Sequence, residues 1–360
     1  LVFTSLATGA ASMGEVGRFG RIGIKIMAFY LLTTAFAIVT ALIIANLINP
    51  GFGLDMSAIL KTEATISPPV PLVEVLSNII PKNPIEAMVN ENMLQVISFA
   101  ILFGLALSIL QEKAEKVKIA VGQLNEVFLK IIAITMNFAP IGVFALVTNT
   151  FASLGYKAMM PLTKYVICVI LGLLTQGIVV YGGLLTLLGR VNPLRFYKKM
   201  LPVISIGFST ASSMATLPMA LRTSEYSLGV SNRICSFTIP LGATVNMDGT
   251  AIMQGVAIIF IAQVYGVPLD LSSYFTVILT ATLASIGTAG VPSGALIMLS
   301  LILTSVGLPI EGISLIIGID RLVDMCRTPI NLIGDQVCTL IVAKQEREFD
   351  EEVFLSDVKI

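Results

Sequence analysis

The chain alternates long apolar runs with short polar breaks, and the runs come in two lengths. Four are long enough to cross a membrane as helices: about Ile22 to Ile48, Met93 to Leu110, Thr163 to Leu188 and Ile234 to Val264. Asn49, Pro50 and Gly51 close the first. The charged turn Glu112 to Lys118 leads from the second into a longer helix that ends near Thr148, with a kink at Pro140. The fourth is broken at Asn246-Met-Asp-Gly-Thr250. Two further segments have arms too short to span. Lys199 to Arg222 is interrupted by a Ser/Thr-rich tip, Ser209 to Pro218, and Phe275 to Leu308 turns at the Gly-rich stretch Ser285 to Gly294. Both predict re-entrant hairpins. Each hairpin is followed by a long helix with a polar centre, the pattern of an inverted repeat with its site at mid-membrane.

The last apolar run, Ile313 to Ala343, carries Asp320, Asp324, Arg327, Asn331 and Asp335. Their spacings of 4, 3, 4 and 4 put all five on one helix face. Charge at the bilayer centre is costly, so such residues face protein or a wet cavity. The face is either an ion-pair network that holds helices together or the wall of a transport site. Arginine offers a rigid fork for a carboxylate, and an aspartate one turn away can hold an ammonium group. Asp320 is the member expected to be structural.

Composition agrees with a membrane protein. Of 360 residues, 56% are hydrophobic and 12% charged, with a mean hydropathy of +0.92. Soluble domains average about 25% charged residues. The net charge of zero gives no sign of a nucleic-acid partner. With no histidine and no CxxC, the chain offers no zinc or haem ligand set and no imidazole base, which weighs against a membrane-embedded enzyme. Cys168, Cys235, Cys326 and Cys338 sit in apolar runs as small fillers. Three basic clusters (Arg18/Arg21/Lys25, Lys113/Lys116/Lys118 and Arg190/Arg195/Lys198/Lys199) alternate with an acidic connector over 52–91. The positive-inside tendency makes the three clusters cytoplasmic. The abrupt apolar start at Leu1 gives the expectation that the natural protein is longer at that end.

Two other constellations bear on chemistry. At Asn246 to Thr250, unwinding would free backbone carbonyls, hard donors for a monovalent cation, with Asp248 and Asp335 supplying negative charge; a plain kink is the alternative. The hairpin tips would present free N–H groups to an anion, and Gly287, Gly290 and Gly294 would let the second tip flex. Tyr30, Thr33 and Thr34 read on spacing alone as helix-packing residues.

The tip Ser-Ser-Met-Ala-Thr-Leu-Pro, the Asn-Met-Asp-Gly-Thr break, Ser-Ile-Gly-Thr-Ala-Gly-Val-Pro and Asp-Met-Cys-Arg-Thr-Pro-Ile-Asn-Leu-Ile-Gly-Asp occur here in one order. In them the chain resembles the dicarboxylate/amino acid:cation symporters, which include archaeal sodium–aspartate and excitatory amino acid transporters. The resemblance implies an all-α polytopic membrane protein of the glutamate-transporter-homologue fold, with two re-entrant hairpins and inverted repeats. It implies a homotrimer in the plasma membrane (the inner membrane of a bacterial cell) working by an elevator motion. The first helix and most of the second would be absent from this chain. The implied divisions are a scaffold-helix end and cytoplasmic loop (1–19), a third helix in the transport domain (20–50), an extracytoplasmic connector (51–91) and scaffold or trimerisation helices (92–155). The rest of the transport domain (156–345) would hold hairpin 1 (about 193–227), the broken helix (230–265), hairpin 2 (about 270–308) and the last helix (312–343), before a cytoplasmic tail (346–360).

By that similarity Arg327 binds the substrate's side-chain carboxylate and Asp324 its amino group, assisted by Asn331, Thr328, Thr250, Ser213 and the backbone at Val291. Sodium is implied at three groups: Gly242, Asn246, Asn331 and Asp335; Thr244, Ser285, Ile286 and Thr288; and Tyr30, Thr33, Thr34, Asn246 and Asp248. The chain departs from family patterns at Ala211, where archaeal members have arginine, at Met214 in place of a serine, and at Met325, where potassium-coupled animal members have arginine. Arg321, one turn earlier, is left without an assigned role. Gln254 stands where proton-carrying members have glutamate and cannot titrate. The implied function is sodium-coupled import of aspartate or glutamate, with lipid as the surrounding medium. A proton-coupled or C4-dicarboxylate symporter is the near alternative, and an ion or anion channel the alternative of another class.

Overall fold

A computed structural model describes residues 2–12, 16–53, 80–89, 93–136, 141, 148, 159–287 and 294–356. Among them the chain is helical, with no strand beyond one isolated antiparallel bridge, Val230 to Phe349. In chain order the helices are α1 (Val2–Ser12), α2 (Val16–Ile48), α3 (Pro84–Val89), α4 (Met93–Leu110) and α5 (Glu115–Met136). Next comes α6 (Met159–Leu174), which continues through two wide π turns, Thr175–Tyr181 and Leu185–Gly189. Then follow α7 (Pro193–Thr210), α8 (Ser213–Tyr226), α9 (Asn232–Val245), α10 (Asp248–Tyr265), α11 (Leu271–Gly287), α12 (Gly294–Ser305), α13 (Ile313–Gln345) and α14 (Glu351–Leu355). The expected kink at Pro140 lies outside the described residues.

Several boundaries differ from the sequence expectation. α2 begins at Val16 rather than near Ile22, so Arg18 and Arg21 already lie on helix. Basic residues end the apolar stretch without ending the helix, because lysine and arginine are good helix formers. The expected ten-residue tip over Ser209 to Pro218 contracts to Ala211 and Ser212. Ala211 takes a left-handed φ of 50° and Ser212 caps α8, accepting from Ala215 N at 3.2 Å. The serine and threonine thus serve as cap and first turn. The α9–α10 break is likewise two residues, Asn246 and Met247, since Asp248 to Thr250 already form the first turn of α10.

The outer and inner faces of α2 explain its place. Ile24, Leu32, Phe36, Val39, Ile43 and Leu47 are exposed, whereas Tyr30, Thr33 and Thr34 are buried with Ala37, Ala41 and Ala45. An apolar outside over a partly polar inside is the arrangement for a lipid surround. The alanines form a small-residue stripe that lets α10 approach: a Cβ at Gly255 would come within 2.9 Å of Ala41 Cβ. α10 is buried from Asp248 to Ala262, as befits a helix apolar all round. Among the described residues, three helical stretches are long and apolar enough to cross a membrane: Arg21–Ile48, Met160–Gly189 and Asn232–Tyr265.

Two large apolar cores result among the described residues, beside a small cluster of Ala11, Leu107 and Ala114. One gathers α10 with α2, α6, α11 and α12; the other gathers α7, α8, α9 and the second half of α13. Val323 of α13 belongs to the first and Leu332, Ile333 and Val337 to the second, while Ile330 packs against both. The polar face of α13 therefore runs along the seam between the cores.

Candidate substrate and cation site

The four acidic groups on that seam fall into two classes. Near the start of the polar face, Arg327 donates from Nε and Nη2 to Asp324 Oδ1 at 2.9 and 2.8 Å. Its Nη1 lies 3.7 Å from Asp320 Oδ1 and makes no hydrogen bond among the described residues. All three side chains are buried. Arg321, more than a third exposed, brings Nη1 to 4.0 Å from Asp324 Oδ2. Two donors on one carboxylate oxygen make a side-on pair, not the two-oxygen fork that arginine can form. Thr328, one step along, turns its hydroxyl back to Asp324 O at 2.9 Å.

Farther along, Asp335 and Asp248 are buried with no basic partner among the described residues. Asp335 Oδ1 accepts from Asn246 Nδ2 at 2.9 Å, and its Oδ2 has no hydrogen-bond partner among the described residues. Thr33 and Thr34 come from the inner face of α2. Thr33 Oγ1 donates to Asn246 Oδ1 at 3.3 Å and Thr34 Oγ1 to Asp248 Oδ1 at 2.6 Å. Tyr30 donates to Thr238 O at 2.9 Å. Gly242 keeps this corner open: a Cβ there would stand 2.5 Å from Asp335 Oδ1 and 2.7 Å from Tyr30 Oη.

Asn331 joins the two regions. Its Oδ1 accepts from Gly249 N at 2.7 Å and Thr250 N at 3.4 Å, so it caps the free N–H groups of α10 from a neighbouring helix. Its Nδ2 lies 3.4 Å from Thr250 Oγ1 and 3.3 Å from Met247 Sδ. The structure thus collects Arg327, Asp324, Thr328, Asn331 and Thr250 along one seam, and Gly242, Asn246, Asp335, Tyr30, Thr33, Thr34 and Asp248 directly beyond them.

Other expected residues are less closely engaged. Ser213 is buried in the first turn of α8. Thr244 and Ser285 spend their hydroxyls within their own helices, on Leu241 O at 2.9 Å and Thr282 O at 2.8 Å. Ile286 lies in the last turn of α11, while Thr288 and Val291 lie outside the described residues. Two residues absent from the sequence expectation reach Asp248 Oδ2: Tyr181 Oη at 2.6 Å and Gln176 Nε2 at 3.0 Å. In an α-helix, positions five apart point about 140° apart, so α-helical periodicity separates them. The π turn Thr175–Tyr181 brings both inward. A buried glutamine amid an apolar run was the one signal available.

Chemically, the first region offers a cation and an anion that already pair with each other. The second offers carboxylate, hydroxyl, amide and carbonyl oxygens, hard donors suited to a small hard cation. Residues 1–345 match the sodium:dicarboxylate symporter family. Similar proteins include a proton/sodium-glutamate symport protein of Geobacillus stearothermophilus, 35% identical over 98% of this chain and 85% of the relative. A proton/glutamate-aspartate symporter of Escherichia coli is 34% identical over 99% and 83%, and a C4-dicarboxylate transport protein of Bacillus subtilis is 33% identical over 98% and 84%. These relatives are integral plasma-membrane transporters, not enzymes, in keeping with the apolar spans. With nearly its whole length matched, this chain belongs to the sodium:dicarboxylate symporter family.

Proposed function

We propose that the protein imports aspartate or glutamate together with sodium, by an elevator motion of a transport domain within a homotrimer. The observation that carries this reading is the sorting of buried carboxylates: Asp324 and Asp320 lie by Arg327, whereas among the described residues Asp335 and Asp248 have only neutral donors. A buried carboxylate that stays ionised is strongly disfavoured unless a cation joins it; the other resolution is a proton, which belongs to the proton-coupled reading. In this reading the substrate's side-chain carboxylate takes over Arg327 and its ammonium takes Asp324, so the side-on pair opens as substrate enters. Thr328, Asn331, Thr250, Ser213 and the backbone at Val291 supply further contacts.

Sodium takes the oxygens of Asp335, Asn246, Asn331 and Gly242, those of Tyr30, Thr33, Thr34, Asn246 and Asp248, and those of Thr244, Ser285, Ile286 and Thr288. An ammonium-binding Asp324 weighs against succinate or malate, which carry no ammonium, and a buried Arg327 weighs against neutral amino acids. The names of the relatives, which include proton-coupled and dicarboxylate carriers, keep a proton-coupled or C4-dicarboxylate symporter as the second reading. Proteoliposomes loaded with potassium and diluted into sodium or choline should accumulate radiolabelled aspartate in sodium alone. Equal uptake in choline, or preference for succinate over aspartate, would overturn the proposal. Intersubunit cross-linking in membranes should cap at three chains.

A further inference from the structure

We infer that Tyr181 and Gln176 are positioning residues for the cation: from α6 they fix the direction in which the Asp248 carboxylate faces. The inference rests on the sodium reading above. A carboxylate has about four acceptor directions. Tyr181 Oη and Gln176 Nε2 both donate to Oδ2, at 2.6 and 3.0 Å, so α6 occupies that oxygen. Oδ1 is left toward α2, where Thr34 Oγ1 at 2.6 Å is its donor among the described residues. The remaining acceptor direction of Asp248 thus opens on the side of Thr33, Thr34 and Asn246.

Three features show that this arrangement is built. Gln176 Nε2 also lies 3.3 Å from Thr33 O, so one amide holds the carboxylate and the α2 backbone together. Both neighbours are acceptors, which fixes the nitrogen end of the amide toward them. Gly334 makes the tyrosine's approach possible, since a Cβ there would overlap Tyr181 Oη and stand 2.5 Å from Asn246 Nδ2. The π turn that aligns Gln176 with Tyr181 is itself tied to α7 by a hydrogen bond from Tyr197 Oη to Gly177 O.

The test uses the full chain in proteoliposomes with Tyr181→Phe, Gln176→Leu, Asp248→Asn as benchmark, and Ser224→Ala as control. Ser224 bonds the side chain of Gln336, which in turn donates to Ala220 O; among the described residues neither side chain bonds a member of the cation set. Two quantities are read: the sodium concentration for half-maximal aspartate uptake, and the rise in unfolding temperature when sodium replaces choline in detergent. Removing a charge-assisted hydrogen bond should raise half-saturating sodium about tenfold in Tyr181→Phe and Gln176→Leu. Maximal uptake at saturating sodium should change much less, and the sodium-induced rise in unfolding temperature should shrink. Ser224→Ala should lower stability equally in both salts and leave half-saturating sodium unmoved. The inference is overturned if Asp248→Asn shifts the sodium dependence while Tyr181→Phe and Gln176→Leu behave as Ser224→Ala does. If Tyr181→Phe does not fold, Gln176→Leu decides by the same criteria. Wild-type uptake and stability indifferent to sodium would instead sink the sodium reading itself.

Discussion

Arg327→Gln and Asp324→Asn, made singly and together, probe the arginine pair where the geometry predicts an asymmetry. Arg327 stands 2.8 Å from Asp324 and 3.7 Å from Asp320. Deleting the arginine removes the nearest basic group from two acids that are 3% and 4% exposed, with Arg321 4.0 Å from Asp324. Breaking a buried pair in this way costs about 3–5 kcal/mol. Deleting Asp324 leaves Arg327 with Asp320 as a remaining counter-charge, so the loss should fall nearer about 1–3 kcal/mol. In the double variant no arginine faces an absent partner, and the total should be smaller than the sum by about 2 kcal/mol. Unfolding temperatures of purified protein in detergent, converted with the unfolding entropy, read the cycle. Transport supplies an independent arm. Arg327 can make two charge-assisted bonds to a substrate carboxylate, and losing about 3 kcal/mol raises half-saturating aspartate roughly 100-fold. Equal destabilisation by the two single variants with an additive double would refute the pairing argument. Unchanged aspartate uptake in Arg327→Gln would refute the gripping role.

Further outcomes follow from the same geometry. Gly334→Ala should abolish sodium-stimulated uptake, because the new methyl occupies the approach of Tyr181 Oη and Asn246 Nδ2; uptake near the wild-type rate would count against the Tyr181–Asp248 contact. Gly242→Ala should raise half-saturating sodium and leave the protein folded, with its Cβ 2.5 Å from Asp335 Oδ1, and an unaltered sodium curve would remove Gly242 from the cation set. At the end of α13, hydrogen bonds from Arg21 and then Lys25, each 2.6 Å away, hold the Glu346 carboxyl below the usual carboxylate range. A depressed folded value stabilises the protein above the unfolded value near about 4.3 and loses that support as pH falls through the folded value. Protease cutting within the tail 346–356 should therefore increase below about pH 4 in wild type, with no change between pH 6 and 8. Glu346→Gln should be cut at one rate throughout, and an identical pH profile in the two proteins would rule the ion pairs out.

The sequence made legible whatever depends on a single helix period. The 4, 3, 4, 4 spacing on α13 needs no neighbour to be seen, and all five residues do lie buried along one seam. The break in the fourth span was visible because Asn, Asp and Gly disfavour helix, although its length was overestimated: Asn331 supplies from α13 the cap that lets α10 begin at Asp248. What depended on a change of period was hidden. Gln176 and Tyr181 meet one carboxylate because α6 widens there, and no local residue type announces a π turn. Pairings across the fold were hidden too. Nothing in the spacing says that Thr34 of α2 reaches Asp248 at the start of α10, or that Asn246 of the break donates to Asp335.

Why two kinds of acid share one helix face follows from where their neighbours begin. The half of α13 that holds Arg327 lies along the first core, and the half that holds Asp335 packs into the second, against α9. Asn331 stands between them and spends its side chain on α10, and among the described residues no basic residue reaches Asp335. Among the described residues neutral donors alone hold Asp335 and Asp248, so a mobile cation is the counter-charge that completes them in the proposed cycle. Asn246 touches Asp335 directly and Thr33 of the Asp248 group through its other end. Asn331 accepts from the turn that begins with Asp248. Substrate that shifts Arg327 and Asn331 therefore moves against the same amides that orient the cation oxygens. On this argument Asn331→Ala should weaken aspartate and sodium together, whereas Arg327→Gln should weaken aspartate far more than sodium. Sodium-binding curves by calorimetry on both variants distinguish the two patterns, and an Asn331→Ala protein with normal sodium affinity would break the link.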